Sequence, residues 1–240
     1  MIVYTEGTIP GRAGVGPIAV IQDDTHLSRW IETSRKLDHD DVPGGLLPCI
    51  MELIRPGDIV VDGGACLGDH TASYASRARH VHAFEANPET AQALAYNCRG
   101  LPVTVHDVGL SDVFADATIT TDPNVGASRI VPNGGVSPTR VQRLDAYGLE
   151  PNLIKLDIEG YEVKALRGAR ETIMRCRPIL VVEVNSWALE QAGDSVHALF
   201  DVLAEYRYEC RNIQTGESFW AGNPALQYDI ACRPRQGETR

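Results

Sequence analysis

Two short stretches carry the side chains that could do chemistry. In VVDGGACLGDH (60–70) an apolar strand runs into a turn holding Gly63, Gly64 and Gly68, opened by Asp62 and closed by His70. A glycine turn after a strand brings backbone N–H groups close to a ligand, so dinucleotides, nucleotide phosphates and S-adenosylmethionine (SAM) all qualify. In NLIKLDIEGYEVKALRGA (152–169), Asp157 and Glu159 end another strand just before a helix, and Glu183 in VVEVN ends a third. Ligands of open α/β sheets bind outside the carboxyl ends of the strands, which puts these carboxylates on the edge that carries the glycine turn.

The spacing discriminates between the ligands. Gly63, Gly64 and Gly68 are out of register with G-x-G-x-x-G. A phosphate loop would follow the last glycine with lysine, whereas Asp69 and His70 stand there. What remains is Asp62, the turn, and a second acid, Glu85, about twenty residues on at the end of the next strand. SAM fits best: its sulfonium is cationic and it carries no phosphate. Its ammonium would be received around Asp62 and Gly64, and its two ribose hydroxyls would donate to the oxygens of Glu85. Asp107 ends the third strand where adenine should lie, and Ala65, Ala86 and Val108 are counted in the same site. Taken singly, Gly63 and Gly64 could only shape a turn, Glu85 could cap a helix and Asp107 could be a turn carboxylate.

Methyl transfer from a sulfonium is an in-line displacement, so catalysis is mostly alignment. A hydroxyl nucleophile also sheds a proton, for which Asp157 is the first candidate and His70 the second, with Glu159 and Glu183 beside them. Glu183 would orient acceptor hydroxyls. The bland alternatives are a helix-capping Glu159 and a solvent-facing His70. Asp157, Glu159 and Glu183 could gather Mg²⁺, yet nothing in their spacing requires it, and no metal is expected. His80, His82 and His106 have no metal-ligand spacing, and His197 lies in an apolar helix as a structural residue.

These residues need a scaffold. From Asp58 onward β-rich runs alternate with helical ones, the pattern of parallel strands with crossover helices. DIVVDGGA, HVHAFEAN, VTVHDVGL, NLIKLDI and PILVVEVN read as strands, and HTASYASRA, ETAQALAYNC, YEVKALRGARETIMRC and SVHALFDVLAEYRY as helices. Asn87-Pro88-Glu89 reads as an N-cap with proline in the first turn. YECRNIQ and LQYDIACR, too close for a crossover and joined through Gly216 and Gly222, should pair antiparallel. The polar section 111–148 reads as a hairpin at ATITTD and a mobile loop at 124–139 that could serve as a lid. PRQGETR reads as a frayed end. Residues 1–57 are expected to form a cap with a lead-in helix, and 58–235 the catalytic domain.

Bulk properties narrow the partners. With 240 residues, 43% of them hydrophobic, the chain can bury one sizeable core. A formal net charge of −10 disfavours nucleic acid. The six cysteines form no C-x-x-C pair and read as reduced thiols. With no secretory leader and no long apolar run, the expectation is a cytoplasmic protein acting on a small molecule without a membrane, and a homo-oligomer is compatible with the sequence.

PGDIVVDGGACLG (56–68), HAFEANPE (82–89), VGLSD (108–112), RLDAYG (143–148) and above all IKLDIEGYEVKALRGA (154–169) resemble the FkbM family of SAM-dependent methyltransferases. The resemblance implies an α/β fold with a Rossmann-like, seven-stranded, mostly parallel sheet, helices on both faces and an antiparallel C-terminal hairpin. It also implies SAM contacts at Asp62, Gly64, Gly68 and Glu85, and O-methylation of a hydroxyl on a sugar or a polyketide-type metabolite. His70 departs from it, standing where relatives commonly carry an aromatic residue. Rival readings are an RNA ribose 2′-O-methyltransferase using Asp157, Lys164 and Glu183, which the acidity opposes, and an NAD-dependent sugar dehydrogenase or epimerase. The latter lacks the dinucleotide glycines, and Tyr161 and Lys164 are one residue too close for a Tyr-x-x-x-Lys pair. A non-catalytic SAM-binding scaffold gains no support from the intact acidic edge.

Overall fold

The computed structural model describes residues 1–120, 122–131, 134–218 and 227–235. Gly222, part of 124–139 and residues 236–240 of the expected frayed end therefore lie outside the described residues. The chain opens with an antiparallel hairpin, β1 (Ile2–Gly7) and β2 (Gly16–Ile21), then α1 (Leu27–Ser34) and α2 (Leu46–Leu53). There follow β3 (Ile59–Gly63), α3 (Asp69–Ala75), β4 (His80–Glu85), α4 (Pro88–Asn97) and β5 (Val103–Asp107). As the sequence indicates, Asn87 caps α4, its side chain accepting from the Glu89 N–H, with Pro88 in the first turn.

The polar section departs from the expected hairpin and loop. It folds as β6 (Gly109–Leu110), β7 (Ala115–Ile119), β8 (Ile130–Val131) and β9 (Ser137–Gln142), a separate sheet in the order β6-β9-β7-β8. Rather than folding back on itself at ATITTD, β7 pairs antiparallel with β8 and β9. That pairing buries Ile119, Ile130 and Val141, which a hairpin of ATITTD alone would leave in water.

The chain then runs through β10 (Leu153–Leu156), α5 (Glu162–Gly168), α6 (Arg170–Cys176), β11 (Ile179–Asn185), α7 (Ser186–Gln191), α8 (Val196–Glu205), β12 (Tyr208–Asn212) and β13 (Gln227–Pro234). α5 and α6 occupy the stretch expected as one helix. At Gly168 a Cβ would overlap the Ser111 carbonyl, and Asp145 gives α6 its own N-terminal acceptors, receiving the N–H of Glu171 at 3.1 Å and of Thr172 at 2.8 Å.

Seven strands form the main sheet in the order β12-β13-β11-β10-β3-β4-β5, parallel except for β12 and β13, which pair antiparallel as expected. Both faces are covered, so the central strands are apolar on both sides. Val60, Val81, Leu153 and Val181 pack under α2 and α3 with Ile50 and Tyr74. Val61, Ile154, Leu180 and Val182 pack on the other face with Leu166 of α5 and Leu199 of α8. Strand order reverses between β3 and β10, and a crevice opens there at the carboxyl edge. Among the described residues no helix is long and apolar enough to cross a membrane.

Candidate active site

The two stretches that opened the sequence reading meet across this reversal. Asp157 donates its N–H to the Gly63 carbonyl at 3.1 Å, and Gly64 and Ala65 both donate to the Phe84 carbonyl at the end of β4. Gly64 has φ +78°, and a Cβ there would overlap the Asp157 carbonyl, so glycine is required both by conformation and by the close approach of the two turns. Glu159 also has a positive φ, +53°, rare for a residue with a side chain. The fully buried Glu162 holds that turn, one oxygen accepting the N–H of Ile158 at 3.0 Å and of Gly160 at 3.2 Å.

A cavity of about 310 Å³ opens here, lined by Gly64, Ala65, His70, Asp157, Glu159 and Glu183. A narrower, more apolar one adjoins it and shares Gly64, Cys66, Gly126, Asp157 and Glu159. Phe84, Glu85, Ala86, Gly109, Ile119 and Ile130 line that second chamber. Glu85 takes the N–H of Cys66 at 2.9 Å on one oxygen and of Asn87 at 2.8 Å on the other. Burial lifts its carboxyl to about 7 despite those two donors. Each carboxylate oxygen keeps a further lone pair for a ligand hydroxyl.

Other expected cofactor residues lie off the cavities. Asp62 lines neither. It is fully buried behind the wall, accepting from the Thr71 hydroxyl at 2.6 Å and facing Lys155 Nζ at 3.5 Å. Direct contact with a ligand ammonium is therefore replaced by a supporting role. Gly63 is likewise behind the wall, and Gly68, with φ +89°, starts α3 where a Cβ would press on Leu94 and Cys98. Asp107 lies opposite Glu85 across the β4–β5 pair, but it is exposed and, like the buried Val108, reaches neither cavity. The RNA-type arrangement is not assembled, because Lys164 is turned away to Asp194 and the Ala192 carbonyl.

Sequence reasoning missed Lys155. Its ammonium, almost fully buried, lies 3.3 Å from Asp157, 3.5 Å from Asp62 and 3.4 Å from the Gly64 carbonyl. Burial works against its charge, but Asp157 and Asp62 override it and hold the ammonium well above its ordinary range. The signal was present: a lysine in the middle of a strand otherwise apolar on both faces has to find an anion inside. Also missed were His26, His39, Asp40 and Leu46 from the N-terminal segment, and Gln227 and Asp229 from β13, all on the larger cavity.

His70 lies on α3, buried rather than solvent-facing, with Nδ1 3.4 Å from the Tyr74 hydroxyl and Nε2 3.8 Å from Asp69, without a hydrogen-bond partner among the described residues. Burial, then the neighbouring carboxylates, lift Glu159 to about 7 and Glu183 to about 10; Asp229 is raised to about 7 by burial and Asp157. The first residues of the stretch expected to be a lid line the site. Asn124 and Gly126 line the larger cavity and Val125 the narrower one. They are latched to the N-terminal segment, Thr25 donating to the Pro123 carbonyl at 2.7 Å and Val125 to Asp24 at 3.2 Å.

The sheet order, the glycine turn and the carboxylate edge define a Rossmann-like methyltransferase fold. A SAM-dependent, TehB-like methyltransferase of Corynebacterium glutamicum shares it with a TM-score of 0.52 at 12% identity, covering 89% of this chain and 98% of that one. Residues 62–210 match the methyltransferase FkbM domain, and the chain belongs to that family. Hexuronic acid methyltransferase AglP of Haloferax volcanii is 27% identical over 145 residues, 57% of this chain and 60% of that protein. An FkbM methyltransferase structure from Methylobacillus flagellatus aligns at 21% identity and a TM-score of 0.48 over 74% of this chain. The chain thus spans 60% of the curated relative and 43% of that structure.

Proposed function

We propose that this chain transfers a methyl group from SAM to a hydroxyl of a sugar. The observation that carries the reading is the pair of joined chambers at the strand-order reversal. One is apolar and ends at Glu85; the other is lined by carboxylates and imidazoles, and Gly64 and Asp157 stand on both. The residues fit SAM: Glu85 has free lone pairs for two ribose hydroxyls, and Phe84, Ile119 and Ile130 suit an adenine. At Gly64 the backbone comes close in a way no larger residue allows. When bound, SAM supplies an electrophilic methyl on a sulfonium, leaving S-adenosylhomocysteine after transfer.

The chain's own residues do the rest. The carboxylate edge stabilises positive charge at the junction of the chambers. Lys155 locks Asp157 and Asp62 in place, so the junction is preorganised rather than assembled on binding. The proton leaving the acceptor hydroxyl passes to a cavity-lining group, with Asp157 best placed because it touches both chambers. The relative's action on a hexuronic acid supports a sugar acceptor.

The experiment supplies SAM with a labelled methyl to the purified chain with hexuronic acids, neutral sugars, amino sugars and RNA in separate reactions, and reads products by mass spectrometry. A methyl ether on a saccharide is expected. Label confined to RNA, or no label on any saccharide from a protein that binds SAM, refutes the sugar reading.

A further inference from the structure

Three carboxyl groups converge on the acceptor chamber. Asp157, Glu159 and Glu183 converge so that one carboxylate oxygen from each lies within 4.8 Å of the others. Glu183 is 6% exposed; one oxygen accepts from the Gln227 amide at 2.6 Å, while the other is buried with no hydrogen-bond partner among the described residues. The Gln227 contact fixes the carboxylate beside the cavity that Glu183 lines. A buried polar atom without a partner is costly, and the Glu183 oxygen points to a ligand that satisfies it.

We propose that Asp157, Glu159 and Glu183 bind one divalent cation of the hard, oxygen-preferring kind, Mg²⁺ or Mn²⁺, at the acceptor end of the cavity. Oxygens about 2.1 Å from a common centre stand roughly 3 to 4.2 Å apart, so three oxygens within 4.8 Å of one another can draw together on a single ion. The donors are all carboxylate, the set that selects Mg²⁺ or Mn²⁺ over softer metals. Three protein ligands leave coordination positions open to acceptor oxygens. Two adjacent sugar hydroxyls could take them, a role that rests on the sugar reading above, whereas the ion site itself does not.

Mn²⁺ alone, titrated into the chain without SAM or acceptor and followed by the paramagnetic resonance of the free ion, tests the site. One ion per chain is expected. Glu183→Gln and Glu159→Gln should each raise Kd at least about tenfold, while Asp40→Asn, on the same cavity but outside the cluster, leaves it within about twofold. Thermal melts of each variant confirm a folded protein before titration. Absence of binding at millimolar Mn²⁺, or equal binding by wild type and Glu183→Gln, overturns the proposal. So does an amino sugar that binds where Mn²⁺ does not, which assigns the carboxylates to an ammonium. Mn²⁺ binding that meets these expectations upholds the site even where no saccharide is methylated, so the two readings fail separately.

Discussion

Glu85→Gln tests the cofactor chamber because it should move stability and affinity in opposite directions. Burial raises the Glu85 carboxyl from 4.5 to about 7, roughly 3 kcal/mol at about 1.4 kcal/mol per tenfold change in proton affinity. The unfolded chain releases this proton near 4.5 and the folded chain keeps it until about 7. Folding therefore loses stability as pH rises between those values, with the full deficit above 7. Glutamine removes the buried charge but turns an amide N–H₂ toward one backbone donor, Cys66 or Asn87, costing about 1 to 2 kcal/mol. The net gain at pH 8 is about 1 to 2 kcal/mol, or roughly 2 to 8 °C in Tm, and at pH 4.5, where the folded carboxyl holds its proton, it turns into a loss of about 1 to 2 kcal/mol. SAM binding should fall, since one ribose hydroxyl loses a charged acceptor worth about 1.5 to 3 kcal/mol, some 10- to 100-fold in Kd. Differential scanning fluorimetry at the two pH values and titration calorimetry with SAM make the measurement. Affinity within about threefold of wild type at pH 8 sinks the ribose assignment. A lowered Tm at pH 8 sinks the burial argument.

Three further outcomes follow from the same geometry. Lys155→Met leaves Asp62 and Asp157 without their buried partner and should cost about 3 to 5 kcal/mol; chemical denaturation measures it, and Asp62→Asn in the same chain should recover part of the loss. Gly160→Ala places a Cβ into the Ala188 carbonyl at φ +105° and should destabilise by more than about 2 kcal/mol, unlike Gly16→Ala, whose Cβ meets nothing within 4 Å at a backbone angle open to any residue. His82, held down to about 4 mainly by burial, refuses a proton that the unfolded chain accepts near 6.5, so stability should fall as pH drops through that window. Partly buried, it contributes about 1 kcal/mol after solvent screening, and His82→Phe should flatten the acid limb of a Tm against pH curve by that amount.

Legibility tracked how local each signal was. The strands of the main sheet, the Asn87 cap and the antiparallel end could be read because apolar periodicity and turn chemistry act over a few residues. The meeting of Gly64 with Asp157 was legible one level up, since sheets of this kind bind ligands at one edge. Asp62 was misplaced because spacing locates a carboxylate along the chain but does not say whether it faces a cavity or a buried lysine. The second sheet escaped because β7 pairs with strands about ten and twenty residues on, through Ile119, Ile130 and Val141, and only the assembled layers reveal that burial. Asp40 and Asp229 were beyond reach for the same reason: long-range folding brings the two ends of the chain to one wall.

The residues on that wall fall on both sides of the family match. The FkbM match runs from 62 to 210 and takes in the turn, Glu85, the Asp157 edge and Glu183. His26, His39, Asp40 and Leu46 precede it, and Gln227 and Asp229 follow it. The cofactor side of the site thus lies within the matched stretch, while part of the far wall is built by the two flanks. Exchanging 26–46 together with β13 would rebuild that wall without touching the chamber that ends at Glu85.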